Sequence, residues 1–88
     1  MKIKENYMIR AVAGQNIVVP LGDAAADFNG MVTLNDTGAF LWGKMDKQTD
    51  ERSLVEALLA EYDVSEELAT EGVRFFVMKM REANLIDE

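Results

Sequence analysis

Apolar residues run in short strand-like blocks over the first third of the chain and recur at helical spacing over the rest. "YMIRAVA", Tyr7 to Ala13, and "NIVVPL", Asn16 to Leu21, are rich in strand formers, with Gly14-Gln15 between them as a short hairpin turn. The alternation is imperfect: Tyr7, Ile9 and Ala11 share one face and Met8, Arg10 and Val12 the other, so both faces are expected to be partly covered. Pro20 has no amide hydrogen to donate, which puts it at a strand end or on an outward edge. "GDAAADFNG", Gly22 to Gly30, reads as a loop in which the three alanines allow one helical turn. "MVTL", Met31 to Leu34, is a short third strand.

That strand runs into a helix without a linker. With Asn35 as N-cap, its side-chain oxygen can accept from the amide of Thr37 or Gly38, while Leu34 and Ala39 form a hydrophobic staple across the corner. The helix from Asp36 to about Met45 packs by Leu41, Met45 and one side of Trp42. In the next helix Thr49 or Asp50 is the cap, and Leu54, Val55, Leu58, Leu59 and Tyr62 recur at helical spacing. Asp63 and Ser65 are alternative caps for a last helix from about Glu66 to Ala83; Asn84 can take the left-handed conformation that closes it, and Leu85-Ile86 can fold back on the core. Three strands followed by three helices suit an α+β fold, an antiparallel meander packed on a small helical bundle.

Eighty-eight residues make one domain, 1–88, and bury roughly 60% of the unfolded surface. With 49% hydrophobic and 28% charged residues the chain has enough apolar content to fold. The absence of cysteine and histidine excludes disulfides and thiolate zinc sites and removes the commonest metal ligand and general base. No transmembrane run exists and Met1 to Asn6 is too polar for a signal peptide, so a cytoplasmic protein with no membrane partner is the expectation. The formal charge of −7 lies wholly beyond Leu34, where 6 bases face 13 acids. Such a helical half repels a duplex, and no nucleic-acid partner is expected.

Two features exceed what a core needs. At about 100° per residue, Ala69, Val73, Phe76, Val77, Met80 and Ala83 make the last helix's buried stripe, yet Met78, Phe75 and Leu68 lie off it. Either they pack on the earlier helices or sit singly at the surface, or Val77, Met78 and the stems of Arg74 and Arg81 wall a groove beside the sheet, where methionine's flexibility suits a variable apolar ligand. The two arginines also have a simpler account, since cations late in a helix complement its dipole. Met31 to Leu34 carries no proline, lysine or other charge to blunt an exposed edge; it is either covered by its own chain or open to an added strand.

"LNDTGAFLW", residues 34 to 42, and "YDVSEELATEGVRFFVMKMREANLI", residues 62 to 86, resemble the PqqD family, small peptide-binding proteins named for pyrroloquinoline quinone biosynthesis and similar to precursor-recognition domains of ribosomally made, modified peptides. The family often has glycine where this chain has Asn84. The resemblance implies a winged-helix-like fold in which a precursor's leader segment docks as an extra strand on Met31, Val32, Thr33 and Leu34, beside Arg74, Val77, Met78 and Arg81 of the last helix. It also implies a client enzyme, typically a radical S-adenosylmethionine enzyme and in some relatives a leader protease or cyclase. The iron–sulfur cluster would belong to that enzyme, because this chain has no thiolate to hold one, and no cofactor is expected for the small protein.

The leading expectation is therefore a non-catalytic peptide chaperone. A winged-helix DNA-binding protein is the alternative that shares the fold, and Glu66, Glu67 and Glu71 at the leading end of the last helix oppose it. A homo-oligomeric structural subunit, such as a homodimer paired through the third strand, is another. An enzyme would need a placed nucleophile or acid/base pair, and Glu66-Glu67 at a helix start are better read as solvated and dipole-favoured.

Overall fold

The computed structural model describes residues 1–27 and 32–88. Along the chain run β1 (Lys2–Ile3), β2 (Tyr7–Val12), β3 (Gln15–Pro20), α1 (Ala24–Asp27), β4 (Thr33–Leu34), α2 (Asp36–Lys44), α3 (Glu51–Glu61), α4 (Glu66–Glu82) and β5 (Ile86–Asp87). Strands β2, β3 and β4 form an antiparallel sheet in that order, which gives the expected α+β architecture. Met31, expected in the third strand, lies outside the described residues.

The hairpin turns through Ala13 and Gly14, with Val12 opposite Gln15, one residue earlier than Gly14-Gln15. Both central residues have positive φ, 52° and 80°, as a two-residue type I′ turn requires. Pro20 ends β3 opposite Tyr7, where a missing donor is tolerated. The alanine run does form a helical turn, α1.

The tight corner at Leu34-Asn35 follows from its cap. Asn35 Oδ1 accepts from the Gly38 amide at 2.7 Å. A Cβ at Gly38 would stand 3.2 Å from that oxygen and 3.3 Å from Leu34 Cβ, so only glycine leaves both strand end and cap undisturbed. Asp50 and Ser65 cap α3 and α4 by the same means. At the far end of α4, Asn84 adopts φ 60°, its amide donates to Arg81 O, and the Leu85 amide reaches back to Met80 O. This is a Schellman closure, with Leu85 and Met80 buried side chains at its two ends.

Two strands were not foreseen in the sequence. β1 pairs with β5, Ile3 opposite Ile86, and both isoleucines are buried. The Ile3 amide donates to Met45 O and the Lys4 amide to Leu85 O, each at 2.9 Å. Each strand is two residues long, too short for periodicity to reveal it. Leu34, Leu41, Met45, Leu54, Leu58, Val73, Phe76, Val77 and Met80 meet in one core between the sheet and α2 to α4. Within α4 the stripe is the expected one, except that Ala83 is only partly buried.

Candidate functional site

Strand β4 is paired with another strand along one side only among the described residues. Val32 O accepts from the Val18 amide at 2.9 Å, and Leu34 O accepts from Asn16 Nδ2 at 3.4 Å. Neighbouring residues of an antiparallel strand direct their main-chain groups to opposite sides, so the N–H and C=O of Thr33 point away from β3. That side is a sheet margin, and Thr33 O there accepts from Lys79 Nζ, 3.2 Å away.

Beyond this margin lies a groove of about 540 Å³. Its floor is the core itself: Leu34, Leu41, Phe76 and Ala69. One wall is a flank of α4 made by Leu68, Gly72, Phe75 and Lys79, and Leu68 and Phe75 are each 61% exposed. Tyr62 and Val64, in the α3–α4 connection, close one end. Tyr62 is held there edge-on to Phe40, ring centroids 5.5 Å apart. Thr33, Asn35 and Thr37 line the side made by the strand and the start of α2. Although acids outnumber bases in this chain, no carboxylate lines the groove, and Lys79 is its one cation among the described residues. Nor does any cluster of three or more carboxylates suited to a metal ion occur among the described residues.

The helix residues expected beside the third strand stand elsewhere. Val77 is in the core at 1% exposure and offers no surface to a ligand. Arg74 lines a shallow depression against α3 with Glu51, Arg52 and Val55. Arg81 faces the terminal sheet: its guanidinium holds Glu88 through two hydrogen bonds, 3.1 and 3.2 Å, and touches Met1 Sδ at 3.9 Å. The bond to Arg81 holds the Glu88 carboxyl below the usual carboxylate range and raises the guanidinium in turn. Met78 is exposed and does not line the groove. The strand residues Thr33 and Leu34 do line it, while Val32 packs partly on the core.

Thus the flank of α4 beside β4 is the one carrying Phe75 and Lys79, not the one carrying Arg74 and Arg81. The buried stripe of a helix says which residues go inward but not which of its two borders meets a particular neighbour; that depends on the direction in which the chain winds from α2 to α4. The sequence does show an apolar line along the border that meets β4. Leu68 and Phe75 are two turns apart on one line of the helix, with Gly72 leaving a gap between them.

No helix among the described residues is long and apolar enough to cross a membrane. The fold is similar to that of a solved structure described as "TbiB1 in Complex with the TbiA(beta) Leader Peptide", with a TM-score of 0.73 and 18% sequence identity over 99% of this chain and 95% of that one. At that identity the likeness concerns the fold alone. Comparison with curated protein sequences finds no match. The family described as Coenzyme PQQ synthesis protein D (PqqD) matches residues 15–86, from β3 through Ile86, a span that contains the β4 margin and the whole wall of the groove. The chain belongs to the PqqD family.

Proposed function

We propose that this protein is a non-catalytic binder of the leader segment of a ribosomally made precursor peptide, which it takes up as an added strand on β4 and presents to a modifying enzyme. The observation that carries the proposal is the outward main chain of Thr33 standing at the mouth of a groove walled by exposed Leu68 and Phe75. A guest strand would gain main-chain bonds from Thr33 and side-chain burial from α4, the division of labour typical of β-augmentation. Family membership and the likeness to a fold solved with a leader peptide support the same reading. Holding the leader raises the local concentration of the attached core peptide at the enzyme, by family resemblance one of the radical S-adenosylmethionine type.

In this proposal the peptide-contacting residues are Thr33, Leu34, Leu68, Phe75 and Lys79. Glu66, Glu67 and Glu71, on the first turns of α4, disfavour a DNA duplex as the occupant. Thr33→Pro is the direct test, because it removes a donor that β3 does not use. Panning a random-peptide display library should enrich binders on the wild-type protein and lose them on Thr33→Pro, with the circular dichroism of the two proteins alike. Equal enrichment on both would show that guests do not add to this edge.

A further inference from the structure

Taking guest addition at β4 as given, we propose that Lys79 makes the groove selective for extended peptides that carry an aspartate or glutamate beside Thr33, by capping the strand margin when no guest is present. The Lys79 ammonium sits 3.2 Å from the outward carbonyl of Thr33, the acceptor an incoming strand would use. β4 itself carries no charge at Thr33–Leu34, so the blunting of its edge is supplied from α4.

A guest whose N–H is to reach Thr33 O competes with this ammonium for the oxygen. The displaced cation stays beside an apolar wall in a groove that offers it no carboxylate. A neutral guest thus binds at the expense of the Lys79–Thr33 bond. A guest with a carboxylate at that position takes over the ammonium and recovers what was lost. Lys79 is therefore a specificity-determining residue that acts in opposite directions on the two kinds of guest.

The test takes a peptide enriched by panning on the wild-type protein and a second version with its Asp and Glu changed to Asn and Gln. Both are titrated against wild type, Lys79→Met and Lys79→Gln. On losing Lys79, the acidic peptide should weaken and its neutral version should tighten, each by roughly two- to fivefold, as for a solvent-exposed pair. Added salt should weaken the acidic peptide on the wild type only. Wild-type binders without Asp or Glu, or two peptides that respond alike to Lys79→Met, would overturn the selectivity. Thr33→Pro separates the layers: if it leaves all binding intact, strand addition is wrong; if it abolishes binding while the peptides respond alike to Lys79→Met, only the role of Lys79 is wrong.

Discussion

The two borders of α4 meet different neighbours. Along one, Leu68, Phe75 and Lys79 face the open margin of β4 across the groove. Along the other, Arg74 lies toward α3 and Arg81 is tied down by Glu88 next to the terminal sheet. Sequence neighbours Arg74 and Phe75 thus belong to separate surfaces. The difference comes from what each border meets. Where α4 approaches β1 and β5, main-chain and side-chain bonds close the surface, as in the pairing of Ile3 with Ile86. Where it approaches β4, one lysine contact spans a gap lined by apolar side chains. On the closed border the exposed cation Arg81 already has a carboxylate partner on its own chain, Glu88.

Three measurements would break or sharpen this contrast. The largest effect is expected beneath the groove, at Phe76, which is 4% exposed and forms both floor and core. Phe76→Ala should destabilise the protein by about 3–5 kcal/mol, read from chemical denaturation, and erase both borders together. A loss under about 1 kcal/mol would mean that the floor of the groove is not core. Next come the borders themselves. Leu68→Ala with Phe75→Ala should weaken a display-selected peptide by roughly 10- to 100-fold with little change in stability, because both side chains face solvent in the free protein. Arg74→Ala should leave the affinity unchanged, and a comparable loss there would move the binding surface to the opposite border.

The smallest effect concerns Glu88. Its pKa is depressed in the folded protein by Arg81, so its contribution to stability is present above the unfolded carboxylate range and is lost as pH falls through the lower, folded value. A side-chain carboxyl NMR titration should find Glu88 below the usual glutamate range in the wild type and returned to it in Arg81→Ala. Coincident titrations would mean that this border is not closed by the pair.

Much of this architecture was legible where one residue type answers one local demand. Asn35 before Gly38, Ser65 before Leu68 and Asn84 after α4 are caps whose chemistry is local, and each acts as a cap here. The stripe of Ala69, Val73, Phe76, Val77 and Met80 was legible because burial follows helical period. β1 and β5 were not, since two-residue strands from opposite ends carry no pattern and their pairing depends on the fold that joins them. The groove was half legible. The uncharged strand could be read directly, but whether Phe75 or Arg74 stands beside it depends on the handedness of the helical path, which no stretch of one helix encodes. Lys79 was hidden for a related reason: a lysine late in a helix satisfies the helix dipole whether or not it also reaches a distant carbonyl.

The β1–β5 clasp also bears on how the molecule could be rewired. Lys2 and Asp87 are cross-strand partners, so the two ends of the described chain emerge side by side, next to Arg81 rather than Lys79. A short linker joining them, with new termini opened near Gly22, would give a circular permutant whose groove is built from an uninterrupted run of β4, α2, α3 and α4. A cargo domain grafted at the clasp would hang behind the helix, leaving the groove beside β4 open.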